Sequence, residues 1–234
     1  MSIYCDSEWN VTENNLNVLI DKGCKLIVIT NPNSYTGKSI PRKVLDNFIK
    51  KCNEKEILVV IDEVYKDFAK EDCSQFIDEY NNLICIRSFS KSLGVAGLRV
   101  GYILSNSEVI KYLYRNSFGV EINSVAAKIV EFFCDNPKYY EQLVNNIIDS
   151  KKKFVDKLIS IGFSPVDTDT NFIPIKIKER DKLVKYLKEN NVRVRIYPHM
   201  ENFKEYISVT VGNDEIIDKV ISLLESFVNS NNEI

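Results

Sequence analysis

The sequence predicts an α/β protein: a mostly parallel sheet with flanking helices, followed by a smaller α+β domain. In the first half, short apolar runs rich in Ile and Val alternate with helical stretches, which is typical of buried parallel strands. The second half is richer in helices and places its strands late. With 44% hydrophobic residues over 234 positions, the chain can bury a sizeable core.

Four strands are expected in the first half, over residues 25–30, 57–62, 83–87 and 98–104. A helix over 41–51 should join the first two strands. Pro41 suits its first turn, and Val44, Phe48 and Ile49 recur on one side. These elements predict that residues 1–120 form an incomplete large α/β domain.

Residues 121–234 are expected to form the smaller domain. A helix-rich stretch from about 121 to 161 leads into strands over 172–177, 192–196 and 207–211. Asn213 can cap a final helix that has Asp214 and Glu215 in its first turn. The apolar positions that follow recur at helical spacing along one face.

Composition excludes several classes of protein. The 31 Lys and Arg residues nearly balance the 33 Asp and Glu residues, so there is no basic field for nucleic acid. No run approaches the roughly 20 apolar residues of a membrane helix, and no export signal is present. One histidine and six irregularly spaced cysteines predict no metal site. We expect a cytoplasmic protein without nucleic-acid or membrane partners.

Chemically active residues follow three of the predicted strands, where ligands of parallel sheets bind. They are the turn over residues 31–37 (NPNSYTG), the segment 62–65 (DEVY) and the segment 88–91 (SFSK). Arg99 comes eight residues after Lys91. A lysine among hydroxyls, with an arginine close by and an acid and a phenol one strand away, suits pyridoxal-5′-phosphate (PLP) chemistry.

Each residue type has a reason to be there. A lysine amine forms a Schiff base with the cofactor aldehyde when its surroundings keep it partly unprotonated. A carboxylate facing the pyridine nitrogen keeps that nitrogen protonated, so the ring can accept electrons. A phenol beside the ring hydroxyl adjusts the basicity of the imine. Hydroxyls and a guanidinium hold the phosphate.

In this order and spacing, NPNSYTG, DEVYKDF and SFSKSLGVAGLRVGY resemble fold-type I PLP enzymes of aminotransferase class I/II. The sequence is most similar to histidinol-phosphate aminotransferases and their relatives, which include a threonine-phosphate decarboxylase. The resemblance runs from about Lys25 to the C-terminus. It implies a PLP-dependent transferase fold, PLP as cofactor and a homodimer once the preceding part of the enzyme is present.

The resemblance also implies residue roles. Lys91, Asp62 and Tyr65 would be catalytic: the lysine bonds to the cofactor, the acid pairs with the pyridine nitrogen and the phenol with the ring hydroxyl. The remaining cofactor-binding residues would be Ser88, Ser90, Arg99, Asn33 and Ser34. The substrate-binding residues would be Asn171, Arg193 and Arg195, the last of which matches an arginine used for a substrate phosphate.

Three departures from the family pattern affect the expected activity. Ser34 and Tyr35 stand in the turn where an asparagine usually helps to hold the ring hydroxyl. Ser208, four residues before Gly212, replaces an arginine that clamps the substrate carboxylate, a loss of roughly 2–5 kcal/mol in binding. Either Arg193 substitutes for it, or the substrate lacks that carboxylate, or activity is lost. The third departure is that no counterpart of the family's first segment precedes the first strand, so we expect the C-terminal part of an enzyme.

The sequence therefore predicts an aminotransferase that moves an amino group between an amino acid and a keto or aldehyde acceptor. A phosphorylated or otherwise anionic acceptor is consistent with Arg195. Two alternatives stay open. One is a PLP-dependent decarboxylase of an amino acid phosphate. The other is a degenerate or partner-dependent fragment without activity of its own.

Overall fold

The computed structural model describes residues 5, 6, 8–117, 119 and 122–231. It divides the chain into two compact units, Met1–Glu141 and Gln142–Ile234, each with its own apolar core. The predicted domain boundary between residues 120 and 121 lies outside the described residues and stays a prediction. None of the described helices is both long and apolar enough to cross a membrane.

A four-stranded sheet forms the centre of the first unit. Its strands lie side by side in chain order: β1 (Leu26–Thr30), β2 (Leu58–Asp62), β3 (Leu83–Ser88) and β4 (Gly101–Ser105). The first three are parallel and β4 is antiparallel to β3. The predicted mostly parallel sheet is confirmed.

Two helices pack together against one face of this sheet. They are α1 (Glu13–Asp21) and α2 (Arg42–Glu54), which bury Leu16 and Phe48 completely in the same core as the strands. Lys51 of α2 also forms an ion pair with Glu13 of α1 at 2.7 Å. The helix after Pro41 is confirmed, whereas α1 is an additional element. The unit continues with α3 (Ser107–Arg115) and α4 (Ser124–Asp135).

The fourth strand begins later than the sequence predicts, at Gly101 instead of residue 98. Residues Ala96–Leu98 form a 3-10 helix that ends at Arg99, whose φ of 56° is left-handed and breaks the extended backbone. Gly101 is needed at the strand start, because a Cβ there would lie 2.5 Å from the main-chain oxygen of Arg87. The residues before Gly101 therefore belong to this turn and not to the strand.

The second unit contains a two-stranded antiparallel sheet and helices. The strands are β5 (Phe172–Lys176) and β6 (Tyr206–Thr210). The helices are α5 (Pro137–Ser160), which begins in the first unit, α6 (Arg180–Glu189) and α7 (Asp214–Asn231). Asn213 accepts a hydrogen bond from the Ile216 main-chain nitrogen at 3.1 Å, so the predicted cap of the last helix is confirmed.

The predicted strand over residues 192–196 is wrong. Only Arg195 in this segment pairs with a strand, through two main-chain hydrogen bonds to Ser208 at 2.8 and 3.0 Å. The left-handed Asn191, with φ of 60°, turns the chain immediately before the segment, which leaves too few residues in register for a ladder. Arg193 and Arg195 are still both exposed, while Val194 between them packs on the core.

Candidate active site

The three polar segments lie at one edge of the first sheet, beyond the carboxyl ends of β1, β2 and β3. Main-chain hydrogen bonds connect the loops in strand order. The Asn31 nitrogen donates to the Asp62 oxygen at 2.9 Å, and the Glu63 nitrogen donates to the Ile86 oxygen at 2.8 Å. Parallel pairing thus brings side chains from distant parts of the sequence to the place where open α/β sheets bind ligands.

The turn after β1 is held by its own side chains. The carboxamide oxygen of Asn33 accepts hydrogen bonds from the main-chain nitrogens of Tyr35 and Thr36 at 2.9 and 3.0 Å. Its amide nitrogen donates to the Thr30 hydroxyl at 3.2 Å. Asn33 therefore shapes the turn, and Ser34 is half-buried beside it. Their roles toward a cofactor stay predictions.

Asp62 and Tyr65 stand where β2 ends. One carboxylate oxygen of Asp62 accepts a hydrogen bond from the Val64 nitrogen at 3.1 Å. Its second oxygen has no hydrogen bond to any residue that the structure describes, so it can accept one from a ligand. Tyr65 is buried, with 8% of its surface exposed.

Lys91 lies over the face of Tyr65, which is the central relationship of the site. The lysine Nζ is 5.1 Å from the centre of the phenol ring. At this distance the ring's negative face attracts an ammonium group. The lysine is half-buried in the loop after β3, 26 residues beyond Tyr65 in the sequence, and the two adjacent parallel strands bring them together.

The hydroxyls of this loop are ordered by local hydrogen bonds. The Ser88 hydroxyl donates to the Val100 oxygen at 3.3 Å and accepts from the Ser90 nitrogen at 3.1 Å. Val100 directly follows Arg99, the predicted phosphate-binding arginine, so Ser88 is hydrogen-bonded to that arginine's neighbour in the sequence. Arg99 is exposed, and its guanidinium donates to the Ala96 oxygen at 3.3 Å.

A buried ion cluster beneath these loops was not predicted. The Nε of Arg87 donates to Glu63 at 2.9 Å, and its Nη2 lies 2.9 Å from Glu63 and 3.0 Å from Asp72. The Cys73 nitrogen also donates to Glu63, at 2.6 Å. Glu63 and Arg87 directly adjoin Asp62 and Ser88 in the sequence, and this adjacency was the only available signal.

The predicted substrate-binding residues belong to the second unit. Asn171 precedes β5 and accepts a hydrogen bond from the Val211 nitrogen through its main-chain oxygen at 2.8 Å. Arg195 is paired across a bridge with Ser208, so their side chains share a face. Ser208 is 5% exposed, whereas Arg195 is exposed. Of the two paired residues, Arg195 is therefore the one that can offer a positive charge to a ligand. Their roles toward substrate stay predictions.

The residues of the first unit fit PLP. The group needs an amine for its aldehyde, and Lys91 supplies one against an aromatic ring. It needs an acceptor for its pyridine N–H, and Asp62 has an oxygen available. It needs donors for a phosphate: Ser88 and Ser90 share one turn, and Ser88 is hydrogen-bonded to Val100, the residue after Arg99.

A comparison with protein families agrees with this fit. The model of the family described as aminotransferase class I and II matches residues 1–224. This chain belongs to that family. The histidinol-phosphate aminotransferase of Lactococcus lactis subsp. cremoris (strain SK11) is 33% identical over 207 residues. The match covers 86% of this chain and 57% of that relative. This member of the class I and II family thus spans less than two thirds of the relative's length.

Solved structures share the fold of this class I and II chain. The histidinol-phosphate aminotransferase from Clostridium acetobutylicum has a TM-score of 0.89 at 22% identity, covering 97% of this chain and 70% of that one. The enzyme from Sinorhizobium meliloti, solved in complex with pyridoxal-5′-phosphate, has a TM-score of 0.84 at 19% identity. It covers 97% of this chain and 63% of that one. These likenesses confirm the predicted fold class.

Proposed function

We propose that this chain carries the lysine site of a PLP-dependent aminotransferase, with Lys91 as the residue that bonds to the cofactor. The observation that carries the proposal is the position of the Lys91 amine, 5.1 Å from the centre of the Tyr65 ring and one strand from Asp62. Family membership and the PLP-bound relative support the choice of cofactor.

When bound, PLP supplies an aldehyde for the amine and a ring that accepts electrons from a substrate bond. The chain's own residues do the rest. Asp62 would accept the pyridine N–H and keep that nitrogen protonated. Tyr65, whose ring faces the Lys91 amine, would donate to the ring hydroxyl. Lys91 Nζ would hold the cofactor and would also take up and return the proton at the substrate carbon.

Arg195 of the second unit supports one substrate class. Arg195 is the exposed cation beside Ser208, and a guanidinium is well suited to a phosphate or carboxylate. We therefore propose an anionic, phosphorylated acceptor, as the name of the Lactococcus lactis relative also indicates. We propose a homodimer for the whole protein, because the resemblance implies it, and a cytoplasmic location, because the cysteines are scattered and free.

Borohydride trapping tests the cofactor site. The purified chain is mixed with PLP, its visible spectrum is recorded, and borohydride reduction is followed by peptide mapping. We expect a yellow absorption band and a pyridoxyl group on Lys91, both absent in Lys91→Ala. Lys38→Ala is the matched control, because Lys38 is equally half-buried and lies at the same edge of the sheet. Labelling spread over several lysines and unchanged in Lys91→Ala would contradict the proposal.

Product analysis tests the reaction. The complete protein is supplied with an amino acid phosphate or with an amino donor and a keto acid. Amine recovered on the keto acid supports the aminotransferase, whereas released carbon dioxide supports the decarboxylase. If Lys91 is labelled by PLP but neither product forms, the chain retains a cofactor site without a working reaction.

A further inference from the structure

A hydroxyl from a distant helix lies beside the two segments that carry Tyr65 and Lys91. Tyr140, in the first turn of α5, hydrogen-bonds to the carboxylate of Asp67, two residues after Tyr65. The same hydroxyl lies 3.1 Å from the hydroxyl of Ser92, the residue after Lys91. Tyr140 thus bridges the two loops of the proposed site, although it is 48 and 73 residues away from its partners in the sequence.

The direction of these hydrogen bonds is fixed by chemistry. An ionised carboxylate only accepts, so Tyr140 donates its proton to Asp67 and Ser92 donates to Tyr140. Lys66 forms an ion pair with Asp67 at 2.7 Å. Burial, together with Asp67, raises the pKa of Tyr140, so the phenol stays a donor. We call Ser92, Tyr140 and Asp67 the hydroxyl bridge.

Two members of the hydroxyl bridge are shielded from water, and Tyr140 between them is half-buried. Ser92 is 1% exposed, and the side chain of Asp67 is 7% exposed. The Tyr140 ring also packs edge-on against Phe133 with 6.3 Å between ring centres. A charge-assisted hydrogen bond in such surroundings is stronger than one on the surface, and a buried hydroxyl that lost its partner would be penalised. The contact therefore restricts both loops.

The position of Tyr140 in the first turn follows from the local sequence. Asn136 accepts main-chain hydrogen bonds from Tyr139 and Tyr140 at 3.1 Å, and Pro137 begins the helix where a missing N–H costs nothing. The residue at this point of α5 is therefore held rigidly by the backbone. Tyr139 beside it is 46% exposed and takes no part in the hydroxyl bridge.

We propose that Tyr140 is a positioning residue: its hydroxyl, through Ser92 and Asp67, fixes the Lys91 amine over the Tyr65 ring. It does not act on a reacting atom, because its hydrogen bonds go to Ser92 and Asp67. This inference rests on the proposed function for its meaning in catalysis. The placement of Lys91 itself is testable without any cofactor.

Competitive labelling with acetic anhydride measures the reactivity of each lysine amine by peptide mass spectrometry. Tyr140→Phe removes one oxygen atom, so the Lys91 amine should no longer be held over the Tyr65 ring. We expect its labelling rate to rise at least about threefold, because the free energy of one hydrogen bond corresponds to a change in rate of this size. Lys38 serves as an internal reference and should not change. Tyr139→Phe is the matched control and should leave Lys91 at its wild-type rate. An unchanged Lys91 rate in Tyr140→Phe would overturn the proposal.

A double-mutant cycle separates positioning from a general loss of stability. If the three residues act as one bridge, Ser92→Ala should change the Lys91 labelling rate in the wild type and have little further effect in Tyr140→Phe. Equal effects of Ser92→Ala in both backgrounds would show that Tyr140 does not act through Ser92. Thermal unfolding of all variants shows whether the reactivity follows stability instead.

PLP trapping connects the bridge to the proposed function. In Tyr140→Phe, the share of pyridoxyl label on Lys91 relative to other lysines should fall roughly three- to tenfold. The two hypotheses fail differently. Absence of specific trapping in the wild type, together with a changed anhydride rate in Tyr140→Phe, would reject the cofactor site and keep the bridge. Specific trapping that Tyr140→Phe leaves unchanged, with an unchanged anhydride rate, would reject the bridge alone.

Discussion

The guanidinium of Arg87 lies 2.9 Å from the carboxylate of Glu63, and both side chains are almost completely buried. Arg87 is the penultimate residue of β3 and Glu63 follows β2 directly. The ion pair therefore holds together the ends of β2 and β3, whose last residues are Asp62 and Ser88. Burial alone would lower the pKa of Arg87, but the charges of Glu63 and Asp72 raise it, so the arginine stays ionised.

Removing one partner of this pair should be strongly destabilising. In Arg87→Met, Glu63 keeps a buried charge without its counterion, and we expect a loss of about 3–5 kcal/mol in the free energy of unfolding. Urea denaturation followed by circular dichroism measures the change. The double variant Arg87→Met with Glu63→Gln should recover part of the loss, because the remaining carboxylate of the cluster, Asp72, is partly exposed to water, whereas Glu63 is fully buried. A single variant as stable as wild type would mean that the pair contributes nothing.

Asp72 predicts a change of stability in acid. Burial alone would raise the pKa of Asp72, but hydrogen bonds from Ser74 and the charge of Arg87 outweigh it and lower the pKa below 3.8. A carboxyl whose folded pKa is depressed contributes stability above its unfolded pKa and loses it as the pH falls through the folded value. The contribution should therefore be present above pH 3.8 and disappear below it.

The test compares unfolding midpoints from neutral pH down to strong acid. Asp72→Asn should be less stable than wild type at neutral pH, and the difference should shrink as the pH falls below 3.8. Asp78→Asn is the control, an exposed aspartate of the same unit. A difference between wild type and Asp72→Asn that stays constant over this range would contradict the assignment.

Apolar runs predicted the positions of β1, β2 and β3 well, because one face of each strand is buried in the core of the first unit. The other face of β1 is apolar too, although Leu26 and Val28 are exposed there. The helix α1 escaped prediction for a physical reason. Its sequence has two adjacent Asn residues, which favour helices weakly, and its stability comes from burying Leu16 and from a capping box between Thr12 and Asn15. Packing against α2 overrides the weak propensity.

The site was predictable as a set of residue types at strand ends, but its supporting contacts were not. Parallel pairing guarantees that residues after neighbouring strands meet, which is why Lys91 and Tyr65 could be placed together. Arg87 with Glu63, and Tyr140 with Asp67, depend on side-chain directions and on a helix 73 residues away. No periodicity or spacing in the sequence encodes such contacts.

Gly101 predicts a sharp difference between two glycines of one segment. A Cβ at position 101 would lie 2.5 Å from the main-chain oxygen of Arg87, so Gly101→Ala forces β3 and β4 apart. For Gly101→Ala we expect a loss of roughly 1–3 kcal/mol in the free energy of unfolding. Gly97→Ala is the matched control, since its Cβ would meet nothing within 4 Å, and its stability should equal or slightly exceed wild type. Equal stabilities of the two variants in urea would contradict the close approach.

Arg195 predicts how the complete protein distinguishes anionic substrates. Its main chain is held against Ser208 by two hydrogen bonds, so its exposed guanidinium projects from a fixed point. If it binds the phosphate of an acceptor, Arg195→Ala should lose one charged hydrogen-bonding contact of roughly 1.5–3 kcal/mol. The KM for a phosphorylated acceptor should then rise by about ten- to a hundredfold.

Arg193→Ala is the comparison variant for this prediction, because Arg193 is exposed two residues away but has no strand partner in the described chain. If Arg193 binds a substrate carboxylate, its loss should raise the KM for the amino donor and change the KM for the phosphorylated acceptor little. Neither variant should alter PLP trapping on Lys91. Arg195→Lys separates charge from shape: a lysine keeps the charge but loses the two-pronged contact, so its KM should lie between wild type and alanine. Equal effects of Arg193→Ala and Arg195→Ala would show that the segment contributes only general positive charge, and the assignment of Arg195 would be withdrawn.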